Sequence, residues 1–204
     1  VNEQFPYIPR DKAAIKIVNL MTIRQNERLQ ATYPKDKICN PIITIPASPG
    51  TGKSTFLKYF AASETFRNYI DKRTTDSTPA IVSLFTFNSG MAGTQDVLGL
   101  RILYGALVSM GVLNELTSSW DSFLNEYLVF AGWTGIQAVD FLHDVFGENR
   151  RILILIDELS KSVNSLDIMN QLGKVLDVEG YCDIVVSSLS PNYVKDLVTK
   201  SNRN

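Results

Sequence analysis

The stretch Ala47–Ser54, which reads Ala-Ser-Pro-Gly-Thr-Gly-Lys-Ser, constrains the fold more than any other part of the sequence. It follows the apolar run Pro41–Ile45 and precedes a segment with helical apolar spacing, Thr55–Phe60. A strand, a loop of small residues, Gly-Lys-Ser and a helix, in that order, are the arrangement of a phosphate-binding P-loop. The first position is alanine where the strict pattern has glycine, and we interpret this as a tolerated variant.

Each part of this motif has a role in holding a nucleotide. Backbone amides of the loop converge on phosphate oxygens, and the first helical turn adds N–H groups and the positive end of the helix dipole. Gly50 and Gly52 allow a close approach and a turn that a Cβ would hinder. Lys53 is predicted to reach the β- and γ-phosphates, and the Ser54 hydroxyl to bind Mg²⁺. The predicted nucleotide-binding residues of the motif are Ser48, Pro49, Gly50, Thr51, Gly52, Lys53, Ser54 and Thr55.

A second motif places two acids at the end of an apolar run. Ile152–Ile156 is consistently apolar and is followed by Asp157 and Glu158. Such a run predicts a strand buried on both faces, and open α/β sheets bind ligands at the carboxyl ends of their strands. We therefore predict that Asp157 holds Mg²⁺ beside the P-loop and that Glu158 acts as the catalytic group that polarises the attacking water. The alternative is a core strand followed by a solvated acidic turn.

Two further polar stretches follow predicted strands. Asp183–Ser188 is predicted to be the fourth strand, beside the acidic strand, so that Ser187 or Ser188 could contact the γ-phosphate or position its attacking water. Ser188 is the predicted catalytic serine, and a strand end that happens to be polar is the equally weighted alternative. The segment Asn88–Gly93 could cover the γ-phosphate or be an ordinary βα loop.

Strand and helix patterns alternate along the chain. This alternation predicts an α/β fold, a three-layer α/β/α P-loop NTPase with a mostly parallel central sheet. One domain is the default at 204 residues, with residues 1–40 as an entry segment and helix and residues 41–204 as the nucleotide-binding core. The predicted helices are one that Asp11 could cap, one after the P-loop, Gln95–Met110, Ser119–Phe130, Gly135–Phe146, one over 166–176, and Asn192–Lys200. The remaining strand is predicted at Pro79–Phe87, and the predicted connections are Gln25–Asn40 and Arg67–Thr78.

Composition limits the classes of function. The net charge of −1 is no global reason to expect binding to nucleic acid or to anionic membranes. Cys39 and Cys182 are too few for a disulfide framework and fit a reducing, intracellular site of action. His143 is the only histidine, so neither a zinc pattern nor Ser-His-Asp catalysis is predicted, and we interpret it as structural. The apolar stretch Val97–Leu113 contains Arg101 and predicts a buried helix rather than a membrane span.

The order of the motifs resembles one branch of the P-loop NTPases. A helical crossing separates the P-loop strand from the acidic strand, and a glutamate follows the aspartate, as in the additional-strand, catalytic-glutamate class that includes the AAA+ and STAND ATPases. The segment Tyr7–Arg10 is similar to the entry segment by which those families cradle adenine. The resemblance implies that Tyr7, Ile8 and Arg10 contact the nucleotide, and that the cofactors are ATP and Mg²⁺.

More narrowly, the chain resembles the NTPase domain of Crinkler effector proteins, which are related to retrotransposon hot spot proteins. This resemblance implies secretion followed by action in a host nucleus or cytoplasm. It also implies partners among host proteins or further copies of the chain, with nucleic acid contacted only through another domain. It rests on the P-loop and acidic motifs together with Phe5–Lys12, Thr86–Met91, Leu155–Lys161 and Val185–Pro191.

Two features depart from these families. Ser187–Ser190 contains no arginine, although STAND ATPases often have one just after the fourth strand. The sequence also ends where a fifth strand and a helical lid would begin in a complete AAA+ core, although Arg203 stands near the place of an arginine finger. Because the sequence begins at Val1 rather than Met, we expect a fragment of a larger protein. Because of where the sequence ends, we expect this fragment to lack the last strand and the lid.

These observations together predict Mg²⁺-dependent ATP binding and hydrolysis. Two alternatives stay open: a nucleotide-gated switch with little turnover, and a scaffold that binds a host protein and whose P-loop is only structural. A kinase acting on a small molecule is disfavoured, because the sequence contains no recognisable substrate-binding or lid signature.

Overall fold

Four parallel strands form the centre of the described part of the structure, in the order β1-β4-β3-β2. They are β1 (Ile43–Pro46), β2 (Ile81–Thr86), β3 (Ile152–Asp157) and β4 (Cys182–Ser188). The computed structural model describes residues 10–31, 42–46, 50–74, 78–87, 97–114, 119–147, 150–162, 164–178 and 180–188. The three pairings between these strands are all parallel, so the predicted parallel sheet is confirmed. The last strand along the chain, β4, is inserted between β1 and β3, beside the acidic strand as predicted.

Seven helices are present in the described part of the chain, and they cover both faces of the sheet. This arrangement is compatible with the predicted three-layer α/β/α fold. The helices are α1 (Asp11–Gln30), α2 (Lys53–Ala62), α3 (Glu64–Asp71), α4 (Leu98–Ser109), α5 (Trp120–Glu126), α6 (Gly135–Phe146) and α7 (Ser165–Val178). Short 3-10 turns occur at Leu128–Phe130, after α5, and at Leu159–Lys161, after β3.

The acidic strand β3 is buried along its whole length. Its side chains alternate between two apolar clusters: Ile152, Ile154 and Ile156 pack with α4 to α7, whereas Leu153 and Leu155 pack with α1, α2 and α3. Both faces of the strand are covered by helices, which explains why its sequence is continuously apolar instead of alternating with polar residues.

Helix α4 packs very closely against β2, which pairs only with β3 among the described strands. The Ser83 hydroxyl in β2 donates a hydrogen bond to the Ile102 carbonyl at 2.7 Å. Gly105 makes this approach possible, because a Cβ there would lie 2.8 Å from the Leu84 carbonyl oxygen and 2.9 Å from the Leu84 nitrogen. The predicted buried helix is thus confirmed, and a glycine inside it lets the helix lie against a strand backbone.

We expect Gly105→Ala to lower the free energy of unfolding by up to about 2 kcal/mol. Helix propensity alone would stabilise the alanine variant by about 1 kcal/mol, so a loss would show that overpacking, which costs about 1–3 kcal/mol, is the larger effect. Gly132→Ala is the control, because a Cβ at Gly132 would meet no atom within 4 Å. Urea unfolding followed by circular dichroism measures both, and a stabilised Gly105→Ala variant would contradict the packing.

Two predicted connections are partly wrong. The segment 25–40 was expected to be a loop, but α1 continues to Gln30, because Arg24 is buried against Asp183 and Arg28 donates to the Leu176 carbonyl. The segment 67–78 was expected to be an exposed connection, but α3 extends to Asp71 and buries Tyr69 on its inner face. At the end of α1 and in α3, polar residues that are typical of a loop sequence contact the core of the folded chain.

Two predictions about helix ends are also corrected. Ser119–Phe130 is not one helix: α5 ends at Glu126 and a 3-10 turn follows. Asp11 does not cap α1 but is its first residue, and its carboxylate accepts a hydrogen bond from the Tyr59 hydroxyl of α2. The predicted helix Asn192–Lys200 and the loop Asn88–Gly93 lie outside the described residues.

Several smaller predictions concern single features. His143 has the packing role expected of it, since its ring stacks on Tyr181 with centroids 4.0 Å apart. Cys182 is buried and forms no disulfide among the described residues, and Cys39 lies outside them. No helix in the described ranges combines the length and the apolar character needed to cross a bilayer.

Candidate functional site

The carboxyl ends of all four strands lie at one edge of the sheet. In the strand register, Pro46 of β1 pairs with Ser188 of β4, and Asp157 of β3 pairs with Thr86 of β2. Because parallel strands end together, the residues after β1 and those at the end of β3 are brought to the same edge. This edge is where the two sequence motifs meet.

The turn before α2 has the backbone that the motif requires. Gly50 and Gly52 adopt φ angles of 75° and 76°, in the left-handed region that glycine favours. Gly52 is the N-cap of α2, and the helical hydrogen bonds begin with the Phe56 amide, which donates to the Gly52 carbonyl at 2.9 Å. The first turn of α2 can therefore offer its N–H groups and its dipole to an anion.

Residues from the two motifs are in direct contact at this edge. The Ser54 hydroxyl of α2 donates a hydrogen bond to Oδ2 of Asp157, a residue 103 positions away in the chain. Asp157 is 5% exposed and the neighbouring Lys53 is 6% exposed. The structure thus brings the predicted phosphate-binding lysine and both predicted metal ligands together at the start of α2. Thr55 lies in the same first turn and is exposed.

Glu158 follows Asp157 with an unusual backbone. Its φ and ψ angles are 54° and 48°, the left-handed region, and it is the one non-glycine residue with positive φ among those described. This conformation is uncommon for a residue with a Cβ and often occurs at functional sites. The Glu158 amide donates to Oγ of Ser187 at 3.1 Å, and the Ser187 hydroxyl donates to Oδ1 of Asp157.

The two serines at the end of β4 lie on opposite faces of the sheet. Ser187 shares a face with Val185, toward α1 to α3, whereas Ser188 shares a face with Val186, toward α4 to α7. The predicted catalytic residue Ser188 is fully buried, and its hydroxyl has no hydrogen-bond partner in the described ranges. Ser187, which the sequence presented only as its alternative, is the serine that contacts Asp157. The period-two pattern of β4 shows that the two serines lie on opposite faces, but it does not show which of them contacts Asp157.

Arg10 lies beside the glycine turn. Its Nη2 donates a hydrogen bond to the Thr51 carbonyl, and a Cβ on Gly52 would lie 3.8 Å from the same nitrogen. The start of α1 is therefore next to the residues predicted to bind phosphate, which is compatible with nucleotide contact by Arg10. The other predicted contacts Tyr7, Ile8, Ser48 and Pro49 lie outside the described residues.

A second polar cluster occupies the opposite edge of the sheet. Asp183 at the start of β4 accepts hydrogen bonds from Arg24 and Arg151, each at 2.7 Å, and from the Tyr69 hydroxyl at 3.1 Å. Burial, followed by the negative charge of Asp183, raises the pKa of Tyr69 above its ordinary value. Because its four members come from α1, α3, β4 and the entry to β3, this cluster ties α1 and α3 to the sheet. Sequence reasoning missed it. Tyr69 lies in a segment expected to be an exposed connection, Arg151 flanks a predicted strand, and Arg24 directly precedes the segment expected to be a loop.

The residues at the carboxyl edge fit a magnesium ion held together with phosphate groups. Mg²⁺ is usually bound through one or two carboxylates, substrate phosphate oxygens and water, and Ser54 and Asp157 supply a hydroxyl and a carboxylate that already touch. Across the ranges described, no three His, Cys, Asp or Glu side chains form a metal-binding group.

No family model matches the sequence, and no curated protein matches it significantly. The fold and the geometry at the carboxyl edge of the sheet are therefore the observations that bear on its function.

Proposed function

We propose that this chain is a P-loop NTPase domain that binds Mg²⁺-ATP and hydrolyses it. One observation carries the proposal: Ser54, two residues after the second of two left-handed glycines, contacts Asp157 at the carboxyl end of a buried strand. A glycine turn or an acidic strand end is common by itself. Their meeting at the amino terminus of α2 is what phosphate and metal binding require.

The residues of the site divide the work of the reaction. Lys53 and the amides at the start of α2 bind and orient the phosphates, and Ser54 and Asp157 hold the metal ion. When bound, Mg²⁺ neutralises charge that develops on the phosphate oxygens. Glu158 accepts a hydrogen bond from the attacking water and orients it toward the γ-phosphorus. Catalysis of this kind consists mainly of positioning and of charge stabilisation.

The strand order supports a particular class of NTPase. Because β4 lies between β1 and β3, one strand separates the glycine turn from the acidic strand. This order and the Asp157–Glu158 pair favour the additional-strand, catalytic-glutamate class that the sequence resembles. We extend the proposal to a Crinkler-like effector domain that acts inside a host cell, with host proteins or further copies of the chain as partners. This extension rests on the resemblance alone.

We expect Lys53→Ala to weaken Mg²⁺-ATP binding by about 10- to 100-fold. A charge-assisted hydrogen bond to phosphate contributes about 1.5–3 kcal/mol, and each 1.4 kcal/mol is tenfold in affinity. Isothermal titration calorimetry measures the dissociation constant directly. Lys58→Ala is the matched control, because Lys58 lies in the same helix and is exposed. Equal affinity of the wild type and Lys53→Ala, or no binding by a folded wild type, would contradict the proposal.

A further inference from the structure

We propose that Ser187 is a positioning residue that couples the metal-binding carboxylate of Asp157 to the backbone of Glu158. The inference rests on the proposed function, because it assigns Ser187 a part in the same reaction. Ser187 contacts the Asp157 carboxylate and the Glu158 amide. It acts on the two acids through one hydroxyl.

The hydrogen bonds around this hydroxyl have a defined direction. Ser187 donates to Oδ1 of Asp157 and accepts from the Glu158 amide, while Ser54 donates to Oδ2 of Asp157. Both carboxylate oxygens are therefore held by hydroxyl groups, one from α2 and one from β4. The contacts run from Ser54 to Asp157, then to Ser187, and then to the Glu158 amide. Ser187 is thus the link between the two acidic residues.

The same hydroxyl stabilises the backbone from which the Glu158 side chain projects. A left-handed conformation costs a residue with a Cβ free energy, so contacts on both sides of Glu158 must maintain it. The Ser187 hydroxyl binds the amide on one side, and the Lys161 amide donates to the Glu158 carbonyl at 2.9 Å on the other. The direction in which the carboxylate leaves the strand depends on this φ angle. Ser187 therefore sets the position of the group that orients water.

Only a side chain that both donates and accepts can make this link. An alanine at 187 removes the donor to Asp157 and the acceptor for the Glu158 amide together. The adjacent Ser188 cannot replace it, because it lies on the opposite face of β4. The link therefore requires the hydroxyl at position 187, because successive side chains of a strand point to opposite faces.

The first test measures hydrogen exchange of the Glu158 amide in the chain without nucleotide. We expect Ser187→Ala to accelerate this exchange by about tenfold, the effect of losing a hydrogen bond of ordinary strength. Ser83→Ala is the matched control, because it removes another buried serine hydroxyl, one that binds the Ile102 carbonyl far from the carboxyl edge. An unchanged exchange rate in Ser187→Ala, or equal acceleration in Ser83→Ala, would overturn the inference.

The second test separates positioning from substrate binding. We expect Ser187→Ala to lower kcat for ATP by about 10- to 100-fold while KM changes less than about threefold. In a Glu158→Gln background, Ser187→Ala should add no comparable loss, because two residues that act through one group are not additive. A rise in KM with unchanged kcat, or a fully additive loss, would overturn the inference. If the wild type neither binds nor hydrolyses ATP, the proposed function fails, and the exchange experiment still decides whether Ser187 holds the Glu158 amide.

Discussion

Replacing Glu158 by glutamine is expected to reduce ATP turnover by about 10²- to 10⁴-fold, the contribution typical of a general base. Glutamine keeps nearly the same shape, so the left-handed backbone and its contact with Ser187 should persist. Its amide is a far weaker hydrogen-bond and proton acceptor than a carboxylate, so it holds the water less firmly and does not assist its deprotonation. Mg²⁺-ATP affinity should stay within about threefold, because the proposed phosphate and metal contacts belong to Lys53, Ser54 and Asp157.

Phosphate release and calorimetry on the same preparation test this result. Glu126→Gln is the control, because it makes the same change at an exposed position at the end of α5. It should leave both turnover and affinity unchanged. Undiminished turnover in Glu158→Gln would remove Glu158 as the residue that activates water. Loss of both turnover and binding would instead assign it to nucleotide or metal binding.

Asp183→Asn is expected to lower the free energy of unfolding by about 3–5 kcal/mol, the usual cost of breaking a buried ion pair. Asp183 is 2% exposed and is the shared acceptor for Arg24 and Arg151, which are 4% and 6% exposed. Without its charge, two buried guanidinium groups lose their common counter-ion. The loss is a large part of the stability of an ordinary domain, which is about 5–15 kcal/mol.

Denaturant unfolding of the wild type and the variant measures this difference. Asp144→Asn is the control, because Asp144 is exposed near the end of α6, and surface substitutions of this kind usually stay within about 0.5 kcal/mol. A loss below about 1 kcal/mol in Asp183→Asn would mean that water already compensates the arginines. The cluster would then contribute little to holding α1 and α3 on the sheet.

The elements that local patterns identify were predicted well. Strand β3 and the helix that contains Arg101 were recognised from apolar runs and spacing, and the structure confirms both. The glycine turn was recognised because Gly50 and Gly52 occupy positions that need left-handed backbone. These features depend on residues close together in the chain, so a short window of sequence contains the information.

The elements that depend on distant contacts were predicted less well. The end of α1 and most of α3 contain many polar residues, so their sequence resembles a loop. In the folded chain Arg24 and Tyr69 both donate hydrogen bonds to Asp183, and the burial of these side chains stabilises both helices. Helix stability in proteins comes largely from such tertiary packing and only weakly from intrinsic propensity. A local sequence pattern contains no information about a contact partner that lies more than a hundred residues away in the chain.

At the carboxyl edge of the sheet, too, some features were predictable from local sequence and others depended on distant contacts. The residue types needed for phosphate and metal binding, Lys53, Ser54 and Asp157, are recognisable from motif and spacing alone, because each motif is a continuous segment. The pairing of β4 between β1 and β3 decided which neighbouring serine meets them. Successive side chains of a strand point to opposite faces, and a shift of one residue in register would exchange Ser187 with Ser188. That choice is made by the pairing of strands distant in the chain, which only the tertiary structure contains.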